Sequence, residues 1–240
     1  MTEKIEQLQS IIDKSDNIVF FGGAGVSTES NIPDFRSTDG IYNQKYKYPP
    51  EIILSHDFFE AKTEEFYEFY KDKMLYLDAK PNKAHLWLAK AERAKKVSTV
   101  ITQNIDGLHQ KAGSKRVFEL HGTVHRNYCQ ECFKCYDAEY VKNSTGIPRC
   151  ECGGILKPDV VLYDESLDPY IYTSALRSVE SADTLIIAGT SLTVYPAASL
   201  VDHFCGRYLV LINRDATPKD SLADLVIHGS VGEILDKINI

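Results

Sequence analysis

A chain of 240 residues that is 43% hydrophobic can bury one sizeable core and a small satellite. Its 34 Asp and Glu against 27 Lys and Arg give a net charge of −7, which argues against nucleic acid as a partner, since non-specific binding needs dense Lys/Arg contacts to phosphates. No apolar run approaches membrane-spanning length and Met1-Thr-Glu-Lys-Ile-Glu-Gln lacks a signal-peptide core, so the six cysteines read as reduced thiols and metal ligands of a cytoplasmic protein without membrane association.

Along the chain, Ile5, Leu8, Ile11 and Ile12 form one apolar stripe and predict an N-terminal helix. Ile18-Val-Phe-Phe predicts a strand that runs into the Gly-rich turn Gly23-Ala24-Gly25-Val-Ser-Thr28, which should open a second helix. Glycines at such a turn let the backbone approach a pyrophosphate, and a helix N-terminus favours its charge. Thr28 stands at the third small position, so the fingerprint is imperfect and a plain tight turn is the competing reading. The turn-rich stretch that follows sets Phe35 beside Arg36, a combination suited to a loop covering a phosphate-bearing ligand; a solvated loop with one buried Phe is the alternative.

Residues 41–74 are rich in aromatics and predict helices without strands. After the start signal Pro81-Asn82, a stripe of Ala84, Trp87, Leu88 and Ala91 predicts another helix. Val97–Thr102 predicts a strand ending in Gln103-Asn104-Ile105-Asp106-Gly107, whose amides can fix ribose hydroxyls or a carboxamide; the bland reading is an Asx turn capping a helix. Val117-Phe-Glu-Leu predicts a strand leading to His121, an imidazole able to act as a base near neutral pH, with metal ligation or simple packing as alternatives. Cys129-x2-Cys132-x17-Cys150-x-Cys152 has the spacing of a closed four-thiolate zinc site, which builds structure and leaves no position open for chemistry. Cys132-x2-Cys135 is an equally well-spaced pair; Cys129 and Cys132 are favoured and Cys135 is left a bystander. Cys205, beside Phe204, reads as a buried thiol. Leu185-Ile-Ile-Ala runs into Gly189-Thr190-Ser191, Tyr208–Ile212 into Asn213, Leu225-Val-Ile adds a strand, and Ser230-x-x-Glu233 predicts a capping box for the last helix.

Continuous apolar strands alternating with helices predict an α/β fold, a parallel sheet covered on both faces. Ligands collect outside the carboxyl ends of such strands, and four polar strand ends on one rim suit one extended cofactor. The two stretches that break the alternation read as insertions forming a smaller second lobe.

Gly-Ala-Gly-Val-Ser-Thr-Glu-Ser-Asn-Ile-Pro-Asp-Phe-Arg-Ser (23–37), Thr-Gln-Asn-Ile-Asp-Gly-Leu-His (102–109), Leu-His-Gly (120–122), the paired cysteines and Gly-Thr-Ser-Leu-x-Val-Tyr-Pro-Ala (189–197) together resemble the sirtuins, NAD-dependent protein-lysine deacylases, over about Ile18 to Leu235. The resemblance is to a bacterial-type member. It implies a Rossmann-like domain (1–40, 78–122 and 158–240), a helical insertion (41–77) and a zinc module (123–157), the latter two forming a small domain. It places Ala24, Thr28, Phe35, Arg36, Gln103, Ile105, Asp106, His121, Thr190, Ser191, Asn213 and Val231 on NAD+, with His121 and Asn104 catalytic. Cys129, Cys132, Cys150 and Cys152 would hold one structural Zn2+, and Val161, Tyr163, Glu165 and Val194 would flank an acetyl-lysine peptide added as a strand. The implied reaction yields nicotinamide, 2′-O-acetyl-ADP-ribose and free lysine, carried out by a monomer on acetyl-lysine-containing proteins.

Two departures from the family's pattern bear on specificity. The peptide loop usually reads Phe-Phe-Gly-Glu and here is Leu162-Tyr163-Asp164-Glu165; the extra carboxylate either favours basic residues beside the substrate lysine or faces solvent. Members that prefer acidic acyl groups carry Tyr-x-x-Arg, where this chain has Tyr70-x-x-Lys73; lysine lacks the fork that suits a carboxylate, so acetyl should be preferred over succinyl. ADP-ribose transfer to an acceptor and non-catalytic NAD sensing are the competing functions.

Overall fold

The structure is a computed structural model that describes residues 1–34 and 47–240. Six parallel strands form the central sheet in the order β3 (Val117–Glu119), β2 (Val97–Thr102), β1 (Ile18–Gly22), β7 (Thr184–Ala188), β8 (Tyr208–Asn213) and β9 (Leu225–His228). Every residue of β1 and β7 is buried, as their unbroken apolar runs require of strands covered on both faces. On one face pack Leu8, Ile11 and Ile12 of α1 (Thr2–Lys14), Ala84, Trp87, Leu88 and Ala91 of α5 (Lys83–Arg93), and Ile234 of α9 (Val231–Leu235). On the other lie Ala175 and Val179 of α8 (Pro169–Ser181) with Leu200 of a 3-10 segment, Ala197–His203. Chain order reverses between β1 and β7, and the crevice at their carboxyl ends is where a ligand of such a sheet binds.

The two interruptions of the alternation share one core. Phe58 and Phe59 of α3 (His56–Ala61) and Phe66, Tyr67 and Tyr70 of α4 (Thr63–Lys73) pack with Cys129, Val141 and Leu156. Tyr67 donates its hydroxyl to the Leu156 carbonyl, and Lys71 reaches the carbonyls of Ser144 and Gly146 at 2.6 and 2.7 Å. The cysteine-bearing part is an antiparallel sheet of β5 (Cys135–Tyr136), β4 (Gly122–Cys129) and β6 (Leu156–Val160), with α7 (Ala138–Asn143) between β5 and β6 in the chain and against β4. A short α2 (Pro50–Ile53) precedes α3, and α6 (Leu108–Ala112) follows β2. Among the described residues, no helix is long and apolar enough to cross a membrane.

Three local expectations are corrected. The Gly-rich turn does not open an α-helix; Ala24–Val26 and Thr28–Ser30 are 3-10 turns, the second ending at Asn31 with φ +61. Ser230 is the N-cap of α9 but makes no side-chain cap bond, because the Glu29 carboxylate takes the Gly232 amide at 2.7 Å. Cys205 is exposed: Phe204 turns onto the core and the short link to β8 leaves the next residue outside.

Candidate active site

The strand tips open into a cavity of about 420 Å3, within the range of small-molecule sites. Its floor is a close approach of two backbones. A Cβ on Gly25 would lie 2.8 Å from the Gly189 Cα, and one on Gly189, which has φ +59, would lie 2.4 Å from the Val26 nitrogen. Only glycines allow that contact, which brings the loop after β1 against the loop after β7. Thr28 donates to the Gly25 carbonyl at 3.1 Å and steadies the turn.

A hydroxyl and two side chains from the β2 tip lock together above this floor. Ser27 donates to Asp106 Oδ2 at 2.6 Å and accepts from Asn104 Nδ2 at 3.0 Å. Asp106 Oδ1 accepts from the Leu108 amide at 2.9 Å, so the Asx turn and the ligand-facing cluster are the same object. Gln103 Nε2 donates to Thr190 Oγ1 at 3.1 Å, joining the two halves of the rim. Ser191 and Thr193 hydroxyls lie 2.8 Å apart, and Asn213 donates to the Asp215 carbonyl at 2.9 Å.

His121 enters from the end of β3. Its Nδ1 lies 3.0 Å from the Gln103 carbonyl oxygen, which can only accept, so Nδ1 carries the proton and Nε2 keeps a lone pair. Burial holds this imidazole below its ordinary pKa, with the Gln103 bond acting in the opposite direction. The ring is therefore neutral and basic at Nε2 around pH 7.

Ala24, Thr28, Gln103, Asn104, Ile105, Asp106, His121, Thr190, Ser191, Asn213 and Val231 all border the one cavity, as do Val161, Tyr163, Glu165 and Val194. Phe35 and Arg36 fall outside the described residues. Lys73 borders the cavity but Tyr70 does not; its ring is fully buried and stacks on Phe66 at 5.5 Å, so the two do not converge on one ligand. Sequence reasoning missed Ser27, whose partners lie 77 and 79 residues away. It also missed His85 and His109, fully enclosed, with ring centroids 4.7 Å apart. Burial pushes His85 down to about 4, partly offset by Asp106, and takes His109 well below its ordinary value.

The Sγ atoms of Cys129, Cys132, Cys150 and Cys152 all lie within 4.8 Å of one another, and Cys129–Cys152, Cys132–Cys150 and Cys132–Cys152 are 3.5 Å apart. A tetrahedron with zinc–sulfur bonds of about 2.3 Å has edges of roughly 3.8 Å, so the four thiols fit the ion without rearrangement. Tyr136 donates to Cys150 Sγ at 3.1 Å and draws that thiol down to about 6, while Cys135 stays outside the cluster and exposed.

The Sir2 family model matches residues 23–196, from the glycine turn through the loop after β7. The chain belongs to the Sir2 family. It is 57% identical over 242 residues to an NAD-dependent protein deacetylase of Clostridium acetobutylicum, covering 99% of both chains. Among solved structures it resembles a Sir2 protein with deacetylated p53 peptide and 3′-O-acetyl-ADP-ribose, at 39% identity and a TM-score of 0.90 over 97% of this chain and 96% of that one. It likewise resembles a Sir2–p53 peptide–NAD+ complex, at 39% identity and a TM-score of 0.86 over 96% and 95% of the two chains.

Proposed function

We propose that this chain is an NAD-dependent protein deacetylase in which the rim cavity holds NAD+ along the strand tips and admits an acetyl-lysine between the 161–165 loop and Val194. The observation that carries the reading is the convergence of the glycine floor, the Ser27–Asn104–Asp106 network and a neutral His121 on one cavity. Full-length relatives named NAD-dependent protein deacetylases support it.

NAD+ supplies a glycosidic bond whose leaving group is positively charged and departs as neutral nicotinamide. The side chains divide the remaining work. Ala24, Thr28 and Gln103 line the floor, and Thr190, Ser191, Asn213 and Val231 line the half of the rim assigned to adenosine. Asn104, Ile105 and Asp106 border the end nearest His121; Ser27 fixes the Asn104 amide and the Asp106 carboxylate, so neither must reorganise when a ligand enters. His121 Nε2 accepts a proton from a ribose hydroxyl, and the Gln103 carbonyl holds the ring in the tautomer that can do so. Val161, Tyr163 and Val194 offer an extended wall to the substrate segment. Phe35 and Arg36 are assigned to NAD+ on the family resemblance.

The thiolate cluster holds one Zn2+ that braces the smaller lobe. We assign residues 41–77 and 123–157 to that lobe and 1–40, 78–122 and 158–240 to the Rossmann-like domain, a division supported by the shared aromatic core around Phe66. None of the six cysteines is paired in a disulfide, which supports a reducing, cytoplasmic setting.

Mass analysis after incubation with an acetylated peptide, with and without NAD+, tests the reading. Deacetylated peptide with 2′-O-acetyl-ADP-ribose, formed only with NAD+, is the expected result. An ADP-ribosylated acceptor with the acetyl group still in place would replace it with a transferase reading.

A further inference from the structure

The link from β6 to α8 carries two adjacent carboxylates in unlike surroundings. Glu165 is engaged at both oxygens: Oε1 accepts from His56 Nδ1 at 2.9 Å and pairs with Lys157 Nζ at 3.0 Å, while Oε2 accepts from the Leu162 amide at 2.9 Å and from Lys157 at 3.1 Å. The same stretch is tied to the α2–α3 connection through its backbone, Tyr163 N–H to the Leu54 carbonyl at 2.9 Å and His56 N–H to the Tyr163 carbonyl at 3.0 Å. Glu165 therefore fastens the loop, and its charge is balanced inside the protein. It has little left to offer a substrate.

Asp164 borders the same cavity but differs in exposure and in partners. It is exposed, and among the described residues its carboxylate has no hydrogen-bond or ion-pair partner. Its backbone stands at φ +71, where a glycine or asparagine would serve the turn at least as well. Neither loop geometry nor an internal contact accounts for a charge at this position. Among the described residues two cations also border the cavity, but Arg214 follows the tip of β8, across the rim from His121, and Lys73 ends α4 in the helical wall.

We propose that Asp164 is a specificity-determining residue that selects acetylated segments carrying Lys or Arg close to the acetyl-lysine. The inference rests on the reading of this cavity as a peptide site. A substrate strand lying along residues 161–164 projects its side chains alternately, so a flanking cation reaches the rim carboxylate while the acetyl-lysine enters the cavity. A carboxylate so placed attracts a basic flank and repels an acidic one.

The test is a set of acetylated peptides with neutral flanks in which one position at a time, two residues to either side, becomes Arg or Glu. The readout is the Arg-to-Glu ratio of kcat/KM within each enzyme form, so any general change in activity cancels. The wild-type chain should favour Arg by about fivefold at one or more positions, the scale of a solvent-exposed charge pair. That ratio should shrink in high salt. Asp164→Asn, which keeps the size and tolerates the left-handed backbone, should bring it below about twofold. A wild-type ratio near one at every position, or an Asp164→Asn ratio equal to wild type, overturns the proposal. Failure of the wild-type chain to deacetylate any of the peptides, neutral ones included, would instead overturn the deacetylase reading and the inference with it.

Discussion

Gly122 joins His121 to β4 at φ +73, and a Cβ there would lie 2.0 Å from the Asp159 carbonyl oxygen and 2.9 Å from its carbon. Gly122→Ala meets two costs. Alanine in the left-handed region is worse than glycine by about 1 kcal/mol. The overlap costs more, because backbone must retreat by over ~1 Å before the new methyl reaches an ordinary carbon–oxygen separation. That movement parts the Gly122–Val160 pairing and strains the bond from the Val161 amide to the His121 carbonyl at 3.0 Å, each worth about 1 kcal/mol. The expected loss of stability is about 3 kcal/mol, read from urea unfolding. Because the displaced segment carries His121, a shift of ~1 Å should also lower kcat/KM on an acetyl-peptide by about 100-fold. Unfolding free energy within about 0.5 kcal/mol of wild type, together with unchanged turnover, would refute the claim that this glycine sets the position of the histidine.

His121→Ala should abolish deacetylation while leaving the unfolding midpoint and NAD+ affinity close to wild type; normal turnover would remove His121 as the base. In the wild-type enzyme the acid limb of kcat/KM should fall below pH 6.5, the direction in which burial moves this ring. Cys150→Ser should give substoichiometric zinc and a lowered melting temperature, and full metal content at unchanged stability would contradict a structural site. Burying His85 with a pKa of about 4 means that the unfolded chain takes up a proton before the folded one does. Stability should therefore be complete above pH 6.5 and decline as pH falls toward 4, by about 3 kcal/mol from this histidine. His85→Gln should flatten that decline, and an unaltered profile would sink the assignment. Acetyl-peptides should outperform matched succinyl-peptides in kcat/KM, because Tyr70 is withdrawn from the cavity and Lys73, paired with Asp72 at 2.9 Å, lacks the fork that suits a carboxylate; faster desuccinylation would reverse this.

β1, β7 and β8 were legible because each carries an unbroken apolar run closed by small or polar residues, and β2, β3 and β9 because their shorter apolar runs end the same way, a signal that needs no knowledge of partners. The rim followed from the same logic, since a parallel sheet gathers its strand tips on one side. What escaped the sequence depends on contacts distant along the chain. Ser27 acquires meaning only when Asn104 and Asp106 fold over it. The glycine turn stays 3-10 where Gly25 meets Gly189, and the Ser230 cap is pre-empted by Glu29, 203 residues from the amide it takes. Glu165, which the resemblance implies as a substrate contact, borders the cavity and also binds His56, 109 residues away, a partner that nothing local announces.

The account requires that loss of the acetyl group and cleavage of the glycosidic bond occur in one cavity as a single coupled event. Counting nicotinamide released and acetyl-lysine lost in the same reaction tests this most directly. The predicted result is one nicotinamide for each acetyl group removed at every time point, with neither product formed when the other substrate is withheld. Deacetylation in the absence of NAD+, or nicotinamide release that proceeds at full rate without acetylated peptide, would contradict it.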